Sequence, residues 1–347
     1  MTTEKLLIAG NPSIEHVGSH LYQAARAMGL ETTIYDVRMA YQGNRWLAAA
    51  YWRIARRRPL RIGRYERGLL ERCVGTGVSL VICVGIAPVT SRVLVELRQA
   101  RIPVLNYLTD DPWNRSHFAP WFFEALPHYE CVFSPRRANL ADLKRSGVRH
   151  VCYLPFAYNP ELHLQSPAER EEPPDADVVF VGGADRDRVP FISALIQAGF
   201  RLSLYGGYWD RYRETREYAR GIVPPKAVKT ATGNAKVALC LVRRANRDGH
   251  CMRSFEIPAM SGCMLAEDTE EHRRIFGAEG AAVLYFKSVT EMVEKARWLV
   301  DRPEQRSRLA SAANELMVTG GHTYRHRLAT MLDRNAGSSV VPGQVSH

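Results

Sequence analysis

Short, unbroken apolar runs alternate along most of this chain with stretches whose apolar positions recur every three or four residues. Leu6-Leu-Ile-Ala-Gly10 is followed by a helical pattern over 18–28, by Gly29 and by the run Thr32-Thr-Ile-Tyr-Asp36. That succession is a strand–helix–strand unit of the kind that builds parallel sheets. The same grammar continues through a strand at 80–85, a helix at 91–100, a strand at 103–108, a strand at 131–134, a helix at 138–146 and a strand at 151–154. Between the second and third strands, 46–73 is helical and basic. There Trp46, Leu47, Ala50, Tyr51 and Ile54 supply an apolar stripe with arginines elsewhere.

The texture changes after Pro155. Residues 166–177 hold three prolines and a run of charges with few hydrophobes, the composition of a linker. A second series then opens with Asp177-Val-Val-Phe-Val-Gly-Gly183. It continues with a helix at 190–198 and strands at 200–205 and 235–242, where Lys236 reads as an exposed charge. After a strand ending at Glu267 come a helix at 269–276, a strand at 281–286 and helices at 290–300 and 323–332. The predicted organisation is α/β: an N-terminal domain 1–160 with a basic helical insertion at 45–72, a linker 161–176 and a second domain 177–320. A last helix 321–334 packs back on the first domain, and 335–347 is a disordered tail.

The most informative text is Asn246-Arg-Asp-Gly-His-Cys-Met-Arg-Ser-Phe-Glu-Ile-Pro-Ala-Met-Ser-Gly262, leading into a strand that ends at Glu267. It reads as a loop, a short helix over 255–261 and a buried strand. Ser254 is placed as the N-cap, Pro258 in or near the first turn and Gly262 at the left-handed C-terminal position. The helix N-terminus with Arg253 beside it makes an anion site. Asp248 and Glu256 flank that site, and an ionised carboxylate accepts hydrogen bonds from a sugar diol.

This spacing of Asp248 and Glu256, with Ile-Pro-Ala-Met-Ser-Gly262 after it, resembles the acidic pair of glycosyltransferases built from two facing Rossmann-like domains, the GT-B architecture. The fuller string from Arg253, with Thr269-Glu-Glu and Ile275-Phe276, is most similar to the spore-maturation (CgeB-like) branch. The resemblance covers residues 175–330 best. It implies a cleft between two domains, with Glu256 holding the ribose of a nucleotide sugar and Asp248, here in place of the more usual Glu, near the donor sugar. It further implies that Gly182, Gly183 and Arg188 face the diphosphate, joined by Arg253, Ser254 and His250, and that Tyr205 in the turn Tyr205-Gly-Gly-Tyr-Trp209 stacks the nucleobase. For that turn, packing is an equal reading.

Three further positions bear on an acceptor. Asp110 and Asp111 end the strand at 103–108, before Pro112 and the apolar platform of Trp113, and members of the CgeB-like branch show a similar acidic-aromatic turn. They are candidates for acceptor binding or proton abstraction, against a plain Asp-capped turn. His16 lies in the first loop, 10–18, at the carboxyl edge of a parallel sheet where ligands bind, and its near-neutral titration suits a general base. That loop lacks the G-x-G-x-x-G fingerprint, so a dinucleotide is not expected there.

Composition narrows the class. At 347 residues, 46% hydrophobic and 24% charged, the chain is an ordinary globular protein of two domains. Seven scattered cysteines, none in a C-x-x-C pair, argue against zinc and disulfides and for a reducing compartment. No apolar run approaches a membrane span, so a cytoplasmic location is expected. The net charge of +11 is concentrated: 45–72 carries nine arginines against two glutamates. That segment is either a solvated hairpin on the first domain or a contact with an anionic surface at the inner membrane face. Nucleic acid has no recognised module or aromatic platform to support it.

The leading function is transfer of a hexosyl group from a nucleoside-diphosphate sugar, UDP- or similar, to a hydroxyl acceptor: lipid-linked, polysaccharide, protein or small molecule. No cofactor and no metal are expected, the leaving diphosphate being met by Arg253 and Arg188. Two alternatives stand beside it. One is a sugar-nucleotide 2-epimerase of the same fold, the other a non-catalytic docking protein that uses the basic segment.

Overall fold

The computed structural model describes residues 5–165 and 176–335, and the chain forms two compact units. The predicted linker core 166–175 and most of the tail, 336–347, lie outside the described residues. The first unit comprises residues up to Pro155 together with the helix Tyr324–Asn335; the second runs from Phe156 to Thr323. Residues 161–165, read above as linker, therefore belong to the second unit, where Pro160–His163 makes one helical turn capped by Asn159.

The first unit is built on strands β1 (Lys5–Gly10), β2 (Glu31–Asp36), β3 (Leu80–Val84), β4 (Val104–Tyr107), β5 (Cys131–Ser134) and β6 (Val151–Tyr153). They form one parallel sheet in the order β2-β1-β3-β4-β5-β6. Leu7, Ile8, Val81, Ile82, Leu105 and Val132 are fully buried, as strands covered by helices on both faces require. The helix Val17–Ala27 leaves β1 through a turn so tight that a Cβ on Gly18 would lie 2.9 Å from the backbone of Asn11. The last helix, Tyr324–Asn335, docks on this one: Tyr324 stacks on His20 at 4.9 Å, and Arg327 Nε donates to Pro155 O at 2.9 Å.

The basic segment forms two helices of opposite character. Ile62–Gly75 buries Ile62, Tyr65, Leu69 and Cys73 in the core, whereas Arg45–Ile54 buries no residue at all. The stripe of Trp46, Leu47, Tyr51 and Ile54 does not pack on the first unit: all four are exposed.

The second unit repeats the layout with β7 (Val178–Val181), β8 (Leu202–Tyr205), β9 (Ala219–Gly221), β10 (Val237–Cys240), β11 (Met264–Glu267) and β12 (Leu284–Phe286), in the parallel order β12-β11-β10-β7-β8-β9. Each unit is thus the Rossmann-like α/β layer structure predicted. Lys236 is not a free surface charge: its Nζ lies 2.8 Å from Asp177, which also accepts from Arg201 N at 3.0 Å, tying β10 and β8 to the start of β7. Burial raises the Asp177 pKa, but the Lys236 and Arg201 hydrogen bonds outweigh it and hold the carboxyl down to about 2. Two helices of this unit, Pro225–Asn234 and Pro303–Thr319, fall outside the predicted pattern.

Candidate functional site

In the second unit the chain enters the sheet at its centre with β7, runs outward to β9 and returns to β10 on the other side. The strand order therefore reverses between β7 and β10, and in open parallel sheets the crevice beyond the carboxyl ends of such a pair is where ligands bind. The segments leaving those two strands are Gly182–Gly183 and the loop 241–252, so the fold brings the predicted glycine turn and the predicted acidic loop to one place.

The glycine turn is closed by contact with the neighbouring turn. Gly182 N donates to Tyr205 O at 2.8 Å, Ala184 N donates to Gly207 O at 2.9 Å, and the buried Trp209 donates Nε1–H to Gly182 O at 2.7 Å. Gly206 sits at φ +126° with Gly182 O 2.5 Å from where its Cβ would be, so both the dihedral and the space demand glycine. Arg188 is buried against Phe180, with Nη1 donating to Gly183 O at 3.1 Å.

The loop 241–252 is fastened from below. Glu267, at the end of β11, accepts from Val242 N at 2.8 Å and from Arg244 at 3.1 Å. Thr269 Oγ1 donates to Gly249 O at 2.5 Å, and Glu271 meets His250 Nδ1 at 2.5 Å. A Cβ on Gly249 would lie 2.5 Å from the Glu271 carboxyl carbon. Gly249→Ala is therefore expected to push Glu271 off His250 and loosen the loop, destabilising the second unit by about 1–3 kcal/mol. Denaturant unfolding checks this; an unchanged midpoint would show that Glu271 moves freely.

The helix after the loop spans Arg253–Ala259, two residues earlier than predicted, which changes three assignments. Ser254 is not the N-cap but a fully buried residue of the first turn: its Oγ accepts from Cys251 N at 3.0 Å and bonds His272 Nε2 at 2.8 Å, out of reach of a ligand. Pro258 lies inside the helix. The left-handed residue at the C-terminus is Ser261 (φ +59°), with Ser261 N donating to Pro258 O and Gly262 N to Ile257 O, a Schellman closure. Gly262 is needed instead for space, since its Cβ would lie 3.0 Å from Ile257 Cγ2.

Glu256 departs furthest from expectation. It is 1% exposed and does not present its carboxylate for a ribose. One oxygen is bonded by Arg253 Nη1, and the other faces His163 Nε2 at 3.8 Å. Asn159 N donates to His163 Nδ1 at 3.0 Å, which leaves the imidazole proton on Nε2, toward Glu256. Burial, reinforced by the Arg253 and Lys229 charges, lowers the His163 pKa to about 3, so the ring is neutral. Arg253 Nε also donates to Val181 O at 3.3 Å, the last carbonyl of β7, and about a third of this side chain remains exposed. Glu256 thus orients a partly open guanidinium at the strand-order reversal. His163 had no signal in its local text, Pro160-Glu-Leu-His163, that would have joined it to a residue 93 positions on.

The remaining predicted residues separate. Asp248 stays half-buried in the loop, and Tyr205 is half-exposed at the end of β8. His250 is buried, with Glu271 on Nδ1 and the Phe156 N–H donating to Nε2 at 3.2 Å; both nitrogens are engaged inside the unit, so it is no ligand contact. In the first unit, Asp111 is buried and accepts from Trp113 N at 3.0 Å, the Asp-capped turn that is the competing reading. Asp110, half-buried, lies beside Gly85, where an added Cβ would be 2.9 Å from Oδ2. His16 precedes the helix Val17–Ala27 and is exposed.

Residues 186–333 match a protein family described as glycosyl transferase-like. No curated protein sequence matches this chain. Among solved structures, the chain is similar to a sucrose-phosphate synthase from Thermosynechococcus elongatus (TM-score 0.69, 12% identity, 96% of this chain and 100% of that one). It is also similar to a glycosyltransferase from Rickettsia africae (TM-score 0.66, 9% identity, 97% and 99%). A third is Anabaena Alr3699/HepE in complex with UDP and glucose (TM-score 0.62, 11% identity, 97% and 100%). At such identities the likeness is one of fold, and the fold is GT-B.

Proposed function

We propose that this protein is a glycosyltransferase of the spore-maturation (CgeB-like) branch that moves a sugar from a nucleoside-diphosphate donor to a hydroxyl acceptor, without a metal ion. The observation that carries the reading is the Arg253 guanidinium. A buried carboxylate and the last carbonyl of β7 hold it where the strand order reverses, inside the stretch that matches the glycosyl transferase-like family. A fixed cation at that point stabilises the charge that grows on a departing diphosphate, and it does so without reorganising during the reaction. Arg188 and the glycine turn lie on the same strand exit, and Asp248 stands in the adjoining loop, the position that the resemblance puts near the donor sugar. The Anabaena structure of this fold carries UDP and glucose, which supports a uridine nucleotide as the first donor to try.

The test is a thermal-shift and calorimetric screen of nucleoside diphosphates and their sugars, followed by an assay for release of the nucleoside diphosphate with sugar acceptors in EDTA. At a hundred times Kd, a bound nucleotide stabilises the folded state by about 2.7 kcal/mol. Nucleoside-diphosphate release that persists in EDTA is expected. Epimer formation with no release, or no shift with any nucleotide, would overturn the reading.

A further inference from the structure

We propose that the helix Arg45–Ile54, with the arginine-lined crevice whose residues Gln42 and Arg61 flank it in the chain, docks the first unit onto an anionic phospholipid bilayer. Asn44 caps this helix through Oδ1, which accepts from Trp46 N and Leu47 N. At 100° per residue, Leu47, Ala50, Tyr51 and Ile54 share one face with Trp46 at its edge, while Ala48 and Trp52 lie opposite. The half-buried residues are Ala48 and Trp52; Trp46 is 74% exposed, Leu47 63% and Ile54 84%. The helix is thus mounted with its apolar face to the solvent.

The mounting is firm. Arg56 and Arg57 both take left-handed backbone, a costly turn for two arginines (φ +51° and +64°). Arg57 Nη1 donates to the carbonyls of Arg115 and Phe118, its own carbonyl accepts from Trp121 Nε1 at 3.0 Å, and Arg56 pairs with Glu124. Ten residues, about 15 Å of helix, cannot span a bilayer but suit a helix lying in its interface.

Charge selects the occupant. Arg61, Arg64 and Arg67, with Gln42, Tyr35 and a single acid, Glu71, line an open crevice of about 480 Å³, so arginines outnumber acids there three to one. Glu66 does not offset them, because its carboxylate is turned inward to Thr90 and Arg92. A second copy of the chain would set arginine against arginine. A nucleic acid would leave Leu47 and Ile54 in water. A bilayer with anionic headgroups meets both features: tryptophan and tyrosine suit the headgroup level, aliphatic side chains the layer beneath, and guanidinium groups the phosphates.

The test is co-sedimentation of the full chain with vesicles of phosphatidylcholine mixed with phosphatidylglycerol, and with vesicles of phosphatidylcholine alone. Binding to the mixed vesicles is expected, weakened by salt and roughly tenfold or more above the neutral ones. Leu47→Glu with Ile54→Glu should lower it by roughly tenfold or more with an unchanged melting temperature, since both positions are exposed. Ile222→Glu, at an equally exposed site in the second unit, should bind like the parent. The proposal fails if mixed vesicles bind no better than neutral ones, or if the double glutamate variant binds normally. It also fails if that variant abolishes a self-association seen by sedimentation velocity in a chain that binds no vesicle. None of these outcomes depends on donor turnover, so they stand apart from the proposed transferase activity.

Discussion

Arg253→Ala is expected to lower kcat by roughly 10²–10³-fold, the loss that follows removal of one preorganised group facing a developing anion. The same change should destabilise the second unit. Glu256 is almost wholly buried and is paired with Arg253 on one side and with a neutral histidine on the other. Taking the guanidinium away strands that carboxylate, and breaking a buried pair from one side costs about 3–5 kcal/mol. Because a third of the arginine side chain is exposed, the lower end applies. The two effects are separable. Glu256→Gln keeps the shape of the side chain and removes the charge, so Arg253→Ala on that background should cost far less stability while turnover remains lost. A double-mutant cycle in urea, run beside the kinetics of nucleoside-diphosphate release, reads both. If Arg253→Ala turns over normally, the guanidinium has no part in the chemistry; if it costs the same stability in either background, Glu256 is not its partner.

The strands of both sheets were legible because strands buried on two faces leave short runs such as Leu6-Leu-Ile and Val178-Val-Phe-Val that little else in a soluble protein produces. The glycine turn and the 246–252 loop were joined only through the family resemblance, and the sheet topology explains their meeting at the reversal of strand order. Direction and partnership were not legible. Periodicity assigns Trp46, Leu47, Tyr51 and Ile54 to one face of a helix but does not say whether that face meets a core or water. Serine just before an apolar helical run is what an N-cap looks like, yet Ser254 spends its hydroxyl on Cys251 and His272, and the helix begins one residue ahead of it. The helix Pro303–Thr319 escaped because two of its four buried positions are Ala310 and Ala313, which add little to an apolar pattern. Glu256 looked like a ligand-facing acid because the residue that encloses it, His163, comes from a turn far away in the chain.

That enclosure makes the second unit acid-sensitive in a window set by histidines and not by carboxylates. Burial lowers the His163 pKa to about 3 and the His272 pKa to about 4, while in the unfolded chain each titrates near 6.5. Both groups therefore bind protons more readily in the unfolded state, so their contribution to stability is complete above pH 6.5 and is lost as pH falls. Between pH 6.5 and about 4 each removes about 1.4 kcal/mol per pH unit, close to 3 kcal/mol per unit together. Below about 4 His272 takes its proton in the folded state and its share levels off, and near there Asp177, held down to about 2, begins to add its own loss. His163→Asn preserves an acceptor for the Asn159 N–H and removes the titration, so its unfolding free energy should fall with roughly half the parent slope between pH 6 and 4.5. Urea unfolding at a series of pH values gives that slope directly. A variant that tracks the parent would mean that His163 is protonated in the folded chain and forms an ion pair with Glu256.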